Sequence, residues 1–308
     1  KMDVVPPLTL LVTTGYLLML FFNWQAGVGP DSEFSLGLFR STPGNRSREF
    51  QSPIAPAGYT FGIWGVIYSG TGTWIIYVIT TLFRTNAKGP VYLNPPTTSP
   101  AFLVSIMLEF TFNVTWLFCF DREVKILSQI VFLLQNICLY VAISISAARV
   151  YQYLFVFKEY GKLDLWFNRI LIHNGLAIWA TWVTVASKVG ISTTLLFVFG
   201  VDEETTVYVC LGFLASQLIT YFILDCFVYD RYFRYILIVY PTAMWALGGI
   251  LVNNIDKPTS PQAVLASTLF AIVFVFFVVK TILVIVRNPV YVIAKQKKAD
   301  DVAYSRMV

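Results

Sequence analysis

Glu109, Asn113 and Trp116 lie in the stretch EFTFNVTWLFCF at spacings i, i+4 and i+7, which puts a carboxylate, an amide and an indole on one face of a helix. Such a set is suited to recognition: it offers a strong acceptor, a group that both donates and accepts, and a flat apolar surface with one N–H. Nothing accompanies it that catalysis would need. The sequence shows no nucleophile–base pair and no phosphate-cradling glycine loop, and the single histidine, His173, has no Cys, Asp or Glu at metal-ligand spacing beside it. The expectation is a binding protein, not an enzyme, without a metal.

The element that carries these residues is hydrophobic enough to cross a membrane. Over 308 residues the chain is 57% hydrophobic, 17% aromatic and only 13% charged, against roughly 25% charged residues in soluble domains. A spanning helix needs about 20 apolar residues, and eight segments qualify: about 8–27, 59–83, 101–120, 126–148, 166–188, 206–229, 233–252 and 262–286. The expected fold class is all-α, a polytopic membrane helix bundle of about eight transmembrane helices. The first segment could pass for a signal peptide, but its apolar run is long and no small-residue cleavage site follows closely, so it reads as a retained helix. The net charge of +5 is spread through short loops, which argues against nucleic acid as a partner and leaves membrane lipid. All four cysteines fall inside apolar segments and read as packing residues.

With both termini cytoplasmic, 13 Lys/Arg lie inside and seven outside, Lys188 among the latter. That orientation places the polar loop 28–58 outside the cytoplasm, where NRS at Asn45 is a glycosylation acceptor. A second sequon at Asn113 falls inside the third segment and is expected to be unreachable. Plasma membrane and endomembrane are not distinguished.

Within SPIAPAGYTFGIWGVIY, Trp64 and Tyr68 are one helical turn apart and Pro56 stands eight residues before the tryptophan. This resembles the translocator protein / tryptophan-rich sensory protein (peripheral-type benzodiazepine receptor-like) family, whose second helix carries W-x-x-x-Y. In that family's third helix a Gln precedes an Asn by four residues and a Trp follows it by three, and Glu109, Asn113 and Trp116 occupy the similar positions. AIWATWVT resembles the fifth-helix run, with Trp179 at the shared position. The resemblance covers segments 1–5, about residues 1–190, and leaves 191–287 as three further transmembrane helices before a basic tail, 288–308. Two departures are Glu109 for the family's Gln and Gly175-Leu176 for its Pro-Tyr. The resemblance implies a five-helix unit that binds a hydrophobic flat ligand, tetrapyrrole- or sterol-like, for sensing or transfer. The residues implied are Trp64, Tyr68, Glu109, Asn113, Trp116 and Trp179.

Other polar residues in apolar segments admit structural roles. Arg169, at the cytoplasmic interface, can snorkel, and His173 is expected to make a helix–helix hydrogen bond. Asp225 stands near the cytoplasmic end of the sixth segment, and Lys280 is deep enough in the eighth to need a partner or a long snorkelling reach; pairing of the two is one way to meet that need. Two further readings stay open. An accessory subunit of a larger membrane complex, or a homo-oligomer, would use the nearly all-apolar FAIVFVFFVV face. An ion- or proton-coupled transporter would use Glu109, Asp225 and Lys280, although no repeat is visible.

Overall fold

The computed structural model describes residues 4–290 together with 292, 293, 295 and 298. In chain order its helices are α1 (Val5–Val28), α2 (Pro43–Glu49), α3 (Ile63–Phe83, preceded by a 3-10 turn, Gly58–Gly62), α4 (Pro100–Asp121), α5 (Lys125–Gln152), α6 (Leu154–Tyr160), α7 (Lys162–Phe167), α8 (Gly175–Phe197), α9 (Glu203–Ile223), α10 (Asp230–Phe233), α11 (Val239–Asn253) and α12 (Pro261–Val286). A π-helical stretch, Asn168–Asn174, joins α7 to α8, and another, Leu224–Val228, extends α9. A two-stranded antiparallel hairpin, Thr85–Asn86 with Gly89–Pro90, interrupts the connection between α3 and α4.

Local chemistry sets where these helices begin. Thr42, Ser99 and Ser260 are each followed by proline and each accepts a hydrogen bond from the backbone N–H three residues on, which satisfies an orphan donor while the proline presets the helical φ. Asp202 caps α9 in the same way, and the Thr205 N–H it accepts at 2.8 Å holds its carboxyl below the ordinary aspartate range.

Among the described residues, seven helices are long and apolar enough to cross a membrane. The seventh of the eight predicted segments, 233–252, is the one left out: it is helical only from Val239 and gives a 15-residue helix, about 22 Å long against a hydrocarbon core of about 30 Å. Its contacts show that it runs from one end of the bundle to the other. Arg234 donates to the Asn288 carbonyl just beyond α12, while at the other end the Asn253 amide donates to Ala55 O at 3.0 Å. The connections after α1, α4, α8 and α11 all gather at that second end. Arg46 pairs with Glu123 at 2.7 Å, Ser52 Oγ donates to Ser192 Oγ at 2.9 Å, and Phe50 packs edge-on to Phe197. The non-helical residues before α11 are supported by Asn174. Its Oδ1 accepts from the Leu237 and Ile238 N–H groups, and its Nδ2 donates to Tyr235 O. Irregular backbone at bilayer depth persists where protein groups satisfy it in this way.

Two expectations about basic residues are corrected. The fifth spanning element runs on to Phe197, so Lys188 sits inside α8, buried, and not in an outer loop. Its Nζ donates to Ser187 Oγ at 2.9 Å and lies 4.6 Å from the Phe213 ring. The apolar run STTLLF carries the helix on, because threonine hydroxyls bond back into it. Arg169 does not reach for solvent. Its guanidinium stacks 3.9 Å from the Tyr235 ring and 5.1 Å from Trp166, so cation–π contacts replace hydration.

One continuous hydrophobic core takes in α1, α3, α4, α5, α8, α9, α11 and α12. Gly249 on α11 lets the Pro56 turn approach closely; a Cβ there would meet Pro56 Cβ at 2.9 Å, and Ala57 N–H donates to Gly249 O at 2.9 Å.

Candidate membrane-embedded binding site

Helices α1, α3, α4 and α8 meet around a chain of hydrogen bonds. The Tyr16 hydroxyl donates to Tyr68 O at 2.7 Å, and the Tyr68 hydroxyl donates to Asn23 Oδ1 at 2.7 Å. Asn23 Nδ2 in turn donates to Asn113 Oδ1 at 2.8 Å and to Met19 O at 2.9 Å. Every amide and hydroxyl in the chain thus has a partner on a neighbouring helix or on the preceding turn, which buried polar groups in hydrocarbon require. Gly72 makes room for the Tyr16 hydroxyl, since a Cβ there would stand 2.8 Å from it.

Aromatic rings wall this chain. Trp64 stacks on Tyr68 with centroids 5.5 Å apart and an interplanar angle of 25°. Trp179 meets Tyr68 edge-on at 6.5 Å and stacks on Phe110 at 6.0 Å. Trp182 packs edge-on against Trp64. Trp179 is wholly buried, whereas Trp64 and Tyr68 are half-buried, so the wall is firm on the α8 side and more open towards α1 and α3.

One turn before Asn113, Glu109 is 0% exposed, and among the described residues neither of its carboxyl oxygens has a hydrogen-bond partner. Tyr68 and Cys138 lie near enough to interact with it electrostatically. The indole N–H groups of Trp179 and Trp182 are likewise buried and unbonded. The ensemble therefore combines flat apolar surface with acceptor and donor capacity that the described residues leave unused.

Of the six residues the resemblance implies, the fold brings five together: Trp64, Tyr68, Glu109, Asn113 and Trp179. Trp116 stands apart. It stacks on Phe120 at 4.9 Å and packs on Phe132 of α5 at 4.8 Å. It shares the helix face of Glu109 but lies seven residues further along α4, among Phe120 and Phe132. Sequence reasoning missed Asn23, whose only local signal is an amide following the apolar run LMLFF, and Tyr16, a ring in a segment rich in apolar residues. Asn113, the second sequon, is 2% exposed and engaged with Asn23, which agrees with its being out of reach for modification.

Elsewhere His173 Nε2 is 3.0 Å from Ser146 Oγ, the helix–helix hydrogen bond expected for it. Asp225 and Lys280 pair at 2.6 Å. No group of three or more His, Cys, Asp or Glu could hold a metal among the described residues.

Neither the curated proteins nor the solved structures contain a match to this chain. A family model described as TSPO-like protein does match, over residues 9–282. That match runs from α1 almost to the end of α12 and so takes in α9 and α11 as well as the helices that carry the tryptophan motifs. The chain belongs to the TSPO-like protein family.

Proposed function

We propose that this integral membrane protein binds a flat hydrophobic ligand, tetrapyrrole- or sterol-like, among α1, α3, α4 and α8, and that residues 1–190 form the ligand-holding unit. The observation that carries the reading is Glu109: a fully buried carboxyl group with neither oxygen bonded, beside the Asn23–Tyr68–Asn113 chain and under the tryptophan wall. An ionised carboxylate without a partner costs on the order of 3 kcal/mol or more at bilayer depth. A ligand donating an N–H or O–H there offsets that cost, and its ring system stacks on Trp64 and Tyr68, the more open side of the wall. Sensing or transfer would follow from occupancy of this site.

The test is titration of the purified protein with a porphyrin and, separately, with a sterol, read by tryptophan quenching and by competition. Asn113→Ala is expected to weaken binding by about 1–3 kcal/mol, since it removes the partner that fixes Asn23 and, through it, Tyr68. Glu109→Gln should keep the fold, because it conserves shape, while altering ligand preference. Trp116→Ala should have less effect than Asn113→Ala, since its ring lies against Phe120 and Phe132. Unchanged affinity in Asn113→Ala and Glu109→Gln, together with a stoichiometric protein partner on purification, would favour the accessory-subunit reading instead.

The same proposal orients the chain with both termini cytoplasmic. Asn45 is exposed on α2 in the connection after α1, and a glycosidase-sensitive mobility shift is expected in the wild type and lost in Asn45→Gln. Cleavage of a tag in that connection only from the cytoplasmic side would overturn the orientation.

A further inference from the structure

At the end of the bundle opposite Asn45, where α9 and α12 terminate, an open recess of about 640 Å³ lies between them. Among the described residues, the charged side chains that line it are Asp230, Arg231, Arg234 and Arg287. Three guanidinium groups against one carboxylate leave an excess of two positive charges.

Arg234 and Arg287 are held in place by ion pairs and carbonyls, and the exposed Arg231 rests against two rings. Arg234, 3% exposed, pairs with Asp230 and donates to Asn288 O. Arg287 pairs with Asp230 at 3.0 Å and donates to Cys226 O at 2.6 Å. Arg231 stacks on Tyr232 and Tyr151 at 4.9 and 5.8 Å. Guanidinium groups fixed in this way present forked donors that match phosphate oxygens, with less ordering left to do on binding.

Beside the recess the outer faces of both helices are apolar and exposed, with Phe227 on α9 and Ile282, Ile285 and Val286 on α12. A cationic hollow at the membrane–water boundary with hydrocarbon-compatible walls leading away from it has the two-part character of a phospholipid. A soluble anion would use only the first part.

We propose that this recess binds the headgroup of an anionic phospholipid, its phosphate held by Arg231 and Arg287 and its acyl chains lying along α9 and α12. Arg234 and Asp230 position the two contacting arginines. The site lies on the helices beyond the tryptophan-walled cluster and does not depend on what that cluster binds.

The full-length protein in neutral detergent, mixed with phosphatidic acid or with phosphatidylcholine, provides the test, with retained lipid counted by native mass measurement. Phosphatidic acid is expected to be retained with a preference of about 25-fold, from two uncompensated charges at roughly five-fold each. Arg231→Gln, which replaces an exposed side chain that makes no carboxylate pair among the described residues, should reduce that preference about five-fold without moving the unfolding midpoint. Arg231→Gln with Arg287→Gln should abolish it. Inorganic phosphate at millimolar concentration should not displace the lipid. Equal retention of the two lipids, or an unaltered preference in a folded Arg231→Gln protein, would overturn the proposal. Displacement by inorganic phosphate would overturn the lipid assignment and leave a small-anion site.

Discussion

Lys280→Met is expected to destabilise the protein by about 3–5 kcal/mol, because it removes one partner of a buried ion pair and leaves the other charge uncompensated. Lys280 Nζ lies 2.6 Å from Asp225 Oδ1, the Tyr240 hydroxyl donates to Asp225 Oδ2 at 2.7 Å, and both charged side chains are 0% exposed. Without the lysine, the carboxylate keeps only Tyr240. The measurement is denaturant unfolding in mixed micelles, followed by tryptophan fluorescence. Adding Asp225→Asn to Lys280→Met should recover most of the loss, because the penalty lies in the orphaned charge and not in the missing attraction. A single variant as stable as the wild type would show that the pair does not hold α9 to α12. The pair joins α9, α11 and α12 and lies apart from Glu109, so the double variant should also retain the ligand affinity of the wild type.

A loss of about 3 kcal/mol or more is expected for Asn174→Ala. Its side chain donates to Arg169 O at 2.7 Å and Tyr235 O at 2.8 Å, and accepts from Leu237 N at 3.1 Å and Ile238 N at 3.3 Å. Truncation leaves two N–H groups and a carbonyl of the non-helical approach to α11 without that partner, and each unsatisfied buried group costs about 1–3 kcal/mol. Asn174→Asp keeps the acceptor and loses the donors, so it should fall between the wild type and Asn174→Ala. Faster amide exchange at Leu237 and Ile238, ahead of global unfolding, locates the effect. Wild-type exchange there in Asn174→Ala would show that the approach to α11 is supported by something else. His173→Ala, one residue earlier, removes a single hydrogen bond to Ser146 and should cost only about 1 kcal/mol.

Asp225, His173 and Asn174 share a feature that explains why sequence spacing did not fix their partners. All three lie in π-helical stretches, where the widened turn shifts the phase of the side chains that follow. Heptad-like counting assumes 3.6 residues per turn, and a single π turn displaces every later residue by about 100°. Asp225 is 55 residues from Lys280, and nothing local in either segment names the other.

The sequence by itself determined the class of protein, where the spanning segments lie, apart from the end of the fifth and the start of the seventh, and the helix face of Glu109 and Asn113. Each of these is local. Bilayer insertion depends on about 20 consecutive residues whose backbone bonds close within the segment, serine or threonine before proline marks where several helices start, and side chains one turn apart share a face whatever the helix packs on. The W-x-x-x-Y spacing and the Asn113 run also sufficed to indicate the family. Tertiary structure alone decided which residues that face meets. It set Asn23 between Tyr68 and Asn113, turned Trp116 towards Phe132, enclosed Lys188 and Arg169, and joined Asp225 to Lys280. Those outcomes depend on the crossing and rotation of helices distant in the chain. Lipid tails are as apolar as the helix surfaces, so hydrophobicity places a segment in the membrane without selecting its neighbour. Close packing at glycines such as Gly72 and Gly249, and hydrogen bonds between polar groups tens of residues apart, make that selection.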